Sequence, residues 1–131
     1  MYKRQVQTAE IKREAQSGKT LAGALASRAV NWNRTHSEGK AIGSIGVVLG
    51  ATVDFLDYGI DLAALAEGPA APILAPGFGY QGAQFADVKR LFGVAAGTTI
   101  VTASRSILAT GPAGLGEQIA RQSALLGEAI A

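Results

Sequence analysis

Four stretches of this chain carry apolar residues at helical spacing, and three short β-branched runs lie between them. After Val6 to Gln16, which is mixed in character and reads as the tail of a loop, Leu21, Ala24, Leu25, Arg28 and Trp32 predict a helix from Leu21 to about Asn33. Thr20 is its expected N-cap, and Trp32 is expected in the core. The residues from Asn33 to Lys40 have turn-forming density and predict an exposed connection that includes His36. Ala41 to Leu49 then reads as a strand buried on both faces. Asp54 to Ala66 suits a short amphipathic helix broken near Gly59, with Asp54, Asp57 and Asp61 on its solvated face. Ile73 begins a second strand. Phe85, Val88, Leu91 and Phe92 give Ala83 to Phe92 one apolar helical face, and Thr99 to Ala103 predicts a third strand. Gly111-Pro112 reads as punctuation before a last helix from about Leu115 to Ile130.

Strands alternating with helices imply βα units around a parallel sheet. Three such strands close nothing, and strands this apolar would leave two edges unpaired and a face uncovered. The expected architecture is therefore α/β and cut from a larger sheet; if its strands are about strands 6–8 with their flanking helices, it is the C-terminal part of a (β/α)₈ barrel.

Charge changes the picture of possible partners. Residues 1–40 carry eight Lys and Arg against three Glu, whereas residues 41–131 carry four against seven acids. Lys3 and Arg4 fall in Met1-Tyr2-Lys3-Arg4-Gln5, which reads as a translated sequencing-adapter scar, so the expected protein domain is 6–131 and its net charge is zero. That removes the main support for nucleic-acid binding. No apolar run approaches the 18 or so residues of a membrane span, and no export signal is visible. The absence of cysteine excludes disulfides, thiolate metal sites and cysteine nucleophiles, and the single histidine, His36, excludes a multi-histidine metal site.

The candidate chemistry lies at the strand ends. Ile73 to Ala83 runs Ile-Leu-Ala-Pro-Gly-Phe-Gly-Tyr-Gln-Gly-Ala, an apolar strand opening into a loop with Gly77, Gly79, Gln81 and Gly82. Backbone N–H groups unshielded by side chains would suit an anion such as phosphate. Arg105 follows the third strand and brings a planar fork of donors. In barrels, the loops after the last two strands often hold phosphate. Each feature also has a plainer account, since glycine turns reverse chains in many α/β proteins and an arginine after a strand can be a surface charge.

Gly50-Ala51-Thr52, the segment Leu74 to Gly82, and Ala103-Ser104-Arg105-Ser106-Ile107-Leu108 follow the three strands in order, and together they resemble orotidine 5′-phosphate decarboxylases of the actinobacterial form. The resemblance implies that Gln81 and Arg105 hold the 5′-phosphate of orotidine monophosphate, with the backbone amide of Ser104 assisting and Pro76 and Gly79 in the substrate pocket. Tyr80 stands where many members carry a small residue. The family's Asp-x-Lys motif, which stabilises the carbanion and delivers the proton, has no counterpart here: Lys3, Lys12, Lys19, Lys40 and Lys89 all lie away from aspartate-bearing strand ends. The resemblance thus implies a fragment, inactive alone, of a cytoplasmic carboxy-lyase of pyrimidine biosynthesis that needs no cofactor or metal and forms a homodimer at full length. The remaining readings are another sugar-phosphate barrel enzyme, or a non-catalytic phosphate-binding module.

Overall fold

The computed structural model describes residues 20–131; the adapter-like residues 1–5 and the loop expected over Val6 to Gln16 lie outside them. Helices α1 (Leu21–His36), α2 (Leu62–Ala66), α3 (Val88–Phe92), α4 (Arg105–Leu108) and α5 (Gly111–Ile130) alternate with or follow strands β1 (Val47–Val48), β2 (Ile73–Ala75) and β3 (Thr99–Val101). The strands form one sheet in the order β1-β2-β3, and both pairings are parallel.

Three of the helix starts have a local cause. Thr20 accepts a hydrogen bond from the Gly23 amide at 3.0 Å, satisfying one of the first-turn donors of α1. Asp61 does the same for α2, accepting from the amides of Ala63 and Ala64 at 2.9 and 3.2 Å. Its role is therefore capping rather than a place on a solvated helix face. The expected break at Gly59 is real: this residue adopts φ 63° after a 3₁₀ turn over Leu56–Tyr58. Pro112 does not terminate structure as expected. It sits in the first turn of α5, where its missing N–H costs no hydrogen bond, so that helix begins four residues earlier than its apolar spacing suggests.

The stretch from Asn33 to Leu49 departs most from expectation. Asn33 is not the end of α1 but a fully buried residue inside it; its Oδ1 accepts from the Ile45 amide at 3.0 Å and its Nδ2 donates to the Ile45 carbonyl at 2.7 Å. Ser37, which caps α1, is also buried, with its hydroxyl near the Ser44 amide and hydroxyl. These bonds hold Ser44 and Ile45 against α1, between the Gly43 amide, which donates to Ala70, and the Val47 amide, which donates to Pro72. The long strand expected over Ala41 to Leu49 is consequently reduced to two residues plus an isolated bridge between Ile42 and Ala70.

The core lies on one face of the sheet only. Ile73 and Ala75 are fully buried beneath Leu65, Val88 and Phe92, and Leu125, Leu126 and Ala129 of α5 pack against the same cluster. The opposite face carries Val48, Leu74 and Ile100, aligned in register across all three strands and exposed by 63%, 40% and 57%. Burial on both faces is thus not found among the described residues, because helices cover only one side. Phe85 and Phe92 are in the core as expected, but Trp32 is half exposed and stacks on the exposed His36 with ring centroids 3.9 Å apart. Among the described residues no helix is long and apolar enough to cross a membrane.

Candidate functional site

The carboxyl ends of the strands meet at one edge of the sheet. Beyond β2, the Pro76 carbonyl accepts from the Ala51 amide at 2.8 Å, and Gly77, at φ 115°, packs so close to the chain after β1 that a Cβ would stand 3.3 Å from the Ala51 nitrogen. Beyond β3, the Thr102 amide donates to the Ala75 carbonyl at 3.1 Å, and the Ser104 carbonyl accepts from Ile107 and Leu108 to open α4 at Arg105.

The glycine loop is anchored from inside. Phe78 is 3% exposed and inserts between Phe85 and Phe92, with centroid separations of 5.7 and 6.4 Å. Burial of such a ring contributes about 1.5–3 kcal/mol, enough to fix which way the flanking residues face. The loop then closes on itself: the Gly79 amide donates to the Ala83 carbonyl at 2.8 Å, the Ala83 amide to Gly77 at 3.2 Å, and the Gly82 amide to Gly79 at 3.0 Å. Two of the three glycine amides are therefore engaged within the loop and do not form a free anion cradle. The glycines serve backbone conformation, with φ of 115°, 73° and 115° at Gly77, Gly79 and Gly82.

What this loop presents outward, together with the turn after β3, is a cavity of about 170 Å³ lined by Pro76, Tyr80, Gln81, Thr102, Ser104 and Arg105 among others. That is below the roughly 300–1,000 Å³ of complete small-molecule pockets, and suits one polar group of a larger ligand. Four of the five residues expected at the site, Pro76, Gln81, Ser104 and Arg105, line this one cavity; Gly79 does not, and instead backs onto Ser106, whose hydroxyl is buried without a hydrogen-bond partner. Arg105 makes no ion pair with any described residue, and its guanidinium carbon lies 3.9 Å from the centre of the Tyr80 ring. In sequence Tyr80 is only a departure from the small residue that many family members carry, and no local pattern links it to the distant Arg105.

Electrostatically the site holds a cation without a counter-charge. Four of the described carboxylates are engaged elsewhere: Asp54 accepts from the Leu56 amide, Asp61 caps α2, Asp87 pairs with Arg90 at 3.1 Å, and Glu67 pairs with Arg34. Arg90 is held above its ordinary pKa chiefly by its side-chain hydrogen bond with Asp87. It does not line the cavity. Among the described residues no cluster of three His, Cys, Asp or Glu side chains could hold a metal ion.

No protein-family model matches the chain. Individual relatives do: an orotidine 5′-phosphate decarboxylase of Nocardioides sp. is 42% identical over 91 residues, covering 70% of this chain and 29% of that protein. A second, from Salinispora arenicola, is 45% identical over 71 residues, 54% of this chain and 23% of its own length. In three dimensions the chain superimposes on the crystal structure of a Streptomyces avermitilis protein given the same family name, with a TM-score of 0.74 at 30% identity, over 88% of this chain and 38% of that one. By sequence and by fold, this chain is similar to part of the orotidine 5′-phosphate decarboxylases. It spans less than a third of the two curated decarboxylases just named. The α/β fold with its parallel three-stranded sheet is accordingly one that a decarboxylase-family structure shares.

Proposed function

We propose that the chain is the C-terminal part of a (β/α)₈ orotidine 5′-phosphate decarboxylase, and that its cavity receives the substrate's 5′-phosphate. The observation that carries this reading is the convergence of Gln81 and Arg105, from loops after two different strands, on one small cavity at the carboxyl edge of a parallel sheet. The exposed row of Val48, Leu74 and Ile100 supports the barrel reading, since inward-pointing aliphatic side chains fill barrel interiors.

In this reading each residue has a binding task rather than a bond-breaking one. Arg105 offers in-plane N–H groups to two phosphate oxygens, and each charge-assisted hydrogen bond contributes about 1.5–3 kcal/mol. Gln81 adds a neutral donor, the Ser104 amide assists, and Pro76 bounds the side facing the pyrimidine. Interactions remote from the reacting carbon supply energy for positioning the carboxylate. Carbon dioxide loss from C6 and reprotonation belong to a lysine among aspartates, outside the present sequence. The complete protein is proposed as a cytoplasmic, cofactor-independent homodimer acting on orotidine monophosphate, with neither nucleic acid nor membrane as partner.

Reading the source DNA upstream of Val6 in frame tests the proposal. A barrel of about 250 residues requires about 120 or more further residues, with an aspartate-flanked lysine after a strand. A stop codon immediately upstream of Val6, or an upstream barrel half without that lysine, would overturn it.

A further inference from the structure

Tyr80 lies in the glycine loop, 70% exposed, with one face of its ring occupied. What it holds is Arg105: the guanidinium carbon is 3.9 Å above the ring centre. Arginine stacks on aromatic rings by the face of its planar guanidinium. The N–H groups that bind oxyanions lie in the plane of the group and point from its edges, so a guanidinium packed by its face keeps its donors directed to the side. Both side chains line the same cavity, together with Gln81 and Ser104. Arg105 is otherwise exposed, belongs to a four-residue helix and has no carboxylate partner among the described residues. An arginine that free would lose substantial rotamer entropy on meeting an anion.

We infer that Tyr80 is a positioning residue for phosphate recognition, holding the Arg105 guanidinium by its face before the ligand arrives. The inference rests on the proposal that this cavity receives phosphate, and adds to it the residue that sets the orientation of the arginine. The ring itself, rather than the phenolic hydroxyl, is the active part, since the quadrupole that attracts the cation belongs to the aromatic face. Phe78 makes the arrangement rigid, because the buried anchor two residues earlier fixes the loop that carries Tyr80.

The test is a binding titration of the complete gene product with inorganic phosphate and with uridine 5′-monophosphate, followed by the NMR signal of the Arg105 side chain and by calorimetry. Tyr80→Ala is expected to weaken both ligands about two- to fivefold, the span of an exposed cation–π contact, while Tyr80→Phe binds as the parent does. In an Arg105→Ala background, Tyr80→Ala is expected to have no further effect. Unchanged affinity in Tyr80→Ala, equal losses in Tyr80→Ala and Tyr80→Phe, or a persisting Tyr80→Ala effect without Arg105 would each overturn the positioning role. Unchanged phosphate affinity in Arg105→Ala alone would instead refute the phosphate site. Because Tyr80 is largely exposed, its replacement tests the ligand contact rather than the folded state.

Discussion

Replacing Gly79 by alanine should damage both stability and the candidate site, through a contact that can be located atom by atom. Gly79 adopts φ 73°, where an L-residue is strained by about 1–2 kcal/mol. A Cβ there would also stand 2.2 Å from the Ser106 Oγ and 2.6 Å from the Ser106 Cβ. Rotating the hydroxyl relieves the first overlap but not the second, because the Ser106 Cβ is fixed to the backbone of α4. That backbone is itself tied to α5, the Ser106 carbonyl accepting from Gln118 Nε2 at 3.4 Å. Overpacking of this kind costs about 1–3 kcal/mol, so the total for Gly79→Ala is about 2–5 kcal/mol, a large part of the roughly 5–15 kcal/mol that stabilises an ordinary domain. The expected relief is a movement of α4, which carries Arg105 away from Tyr80 and Gln81. Urea unfolding of the complete gene product measures the first effect, and phosphate titration the second. Adding Ser106→Gly to Gly79→Ala should recover the stability lost to the clash and leave the backbone strain. A double variant no more stable than Gly79→Ala, or a Gly79→Ala protein as stable as the parent, would refute the reasoning.

Asn33→Ala should cost about 1–3 kcal/mol, because it strips both backbone bonds from Ile45, and water can reach that partly exposed segment to limit the loss; a melt unchanged from the parent would contradict it. Asp61→Ala should cost about 1 kcal/mol by uncapping α2, whereas Asp61→Asn should retain most of the stability, and equal losses in the two variants would show that capping is not the cause.

The periodic segments of this chain were legible because one physical rule dominates each. The helix from Leu21 exists as its spacing predicts, but Leu21, Leu25, Arg28 and Trp32 lie on its exposed side and Gly23, Ala26, Ala29, Val30 and Asn33 form its buried one, whereas the Gly59 break follows from its left-handed conformation. Asn33 was misread for the opposite reason. Its local preference for turns was overridden by two hydrogen bonds to a residue twelve positions away, and nothing in the local pattern encodes them. Pro112 shows the same ambiguity, since one residue type ends helices and also begins them.

At the site, the residue types led to Gln81 and Arg105, and the structure brings both to one cavity. The supposed donor role of the glycines was wrong for Gly79 and Gly82, whose amides close the loop. Composition could suggest exposed amides but could not reveal their partners. Phe78 was equally hidden: a phenylalanine between glycines gives no periodic signal, yet its burial is what holds the loop in place.

The central claim is tested most directly by decarboxylation of orotidine 5′-phosphate, followed by the loss of substrate absorbance, with the complete gene product and its Arg105→Ala variant. The account expects turnover by the parent and a fall in kcat/KM of about 10²-fold in the variant, as loss of charge-assisted phosphate bonds worth a few kcal/mol requires. No turnover by the complete protein, or equal kcat/KM in the two, would contradict it.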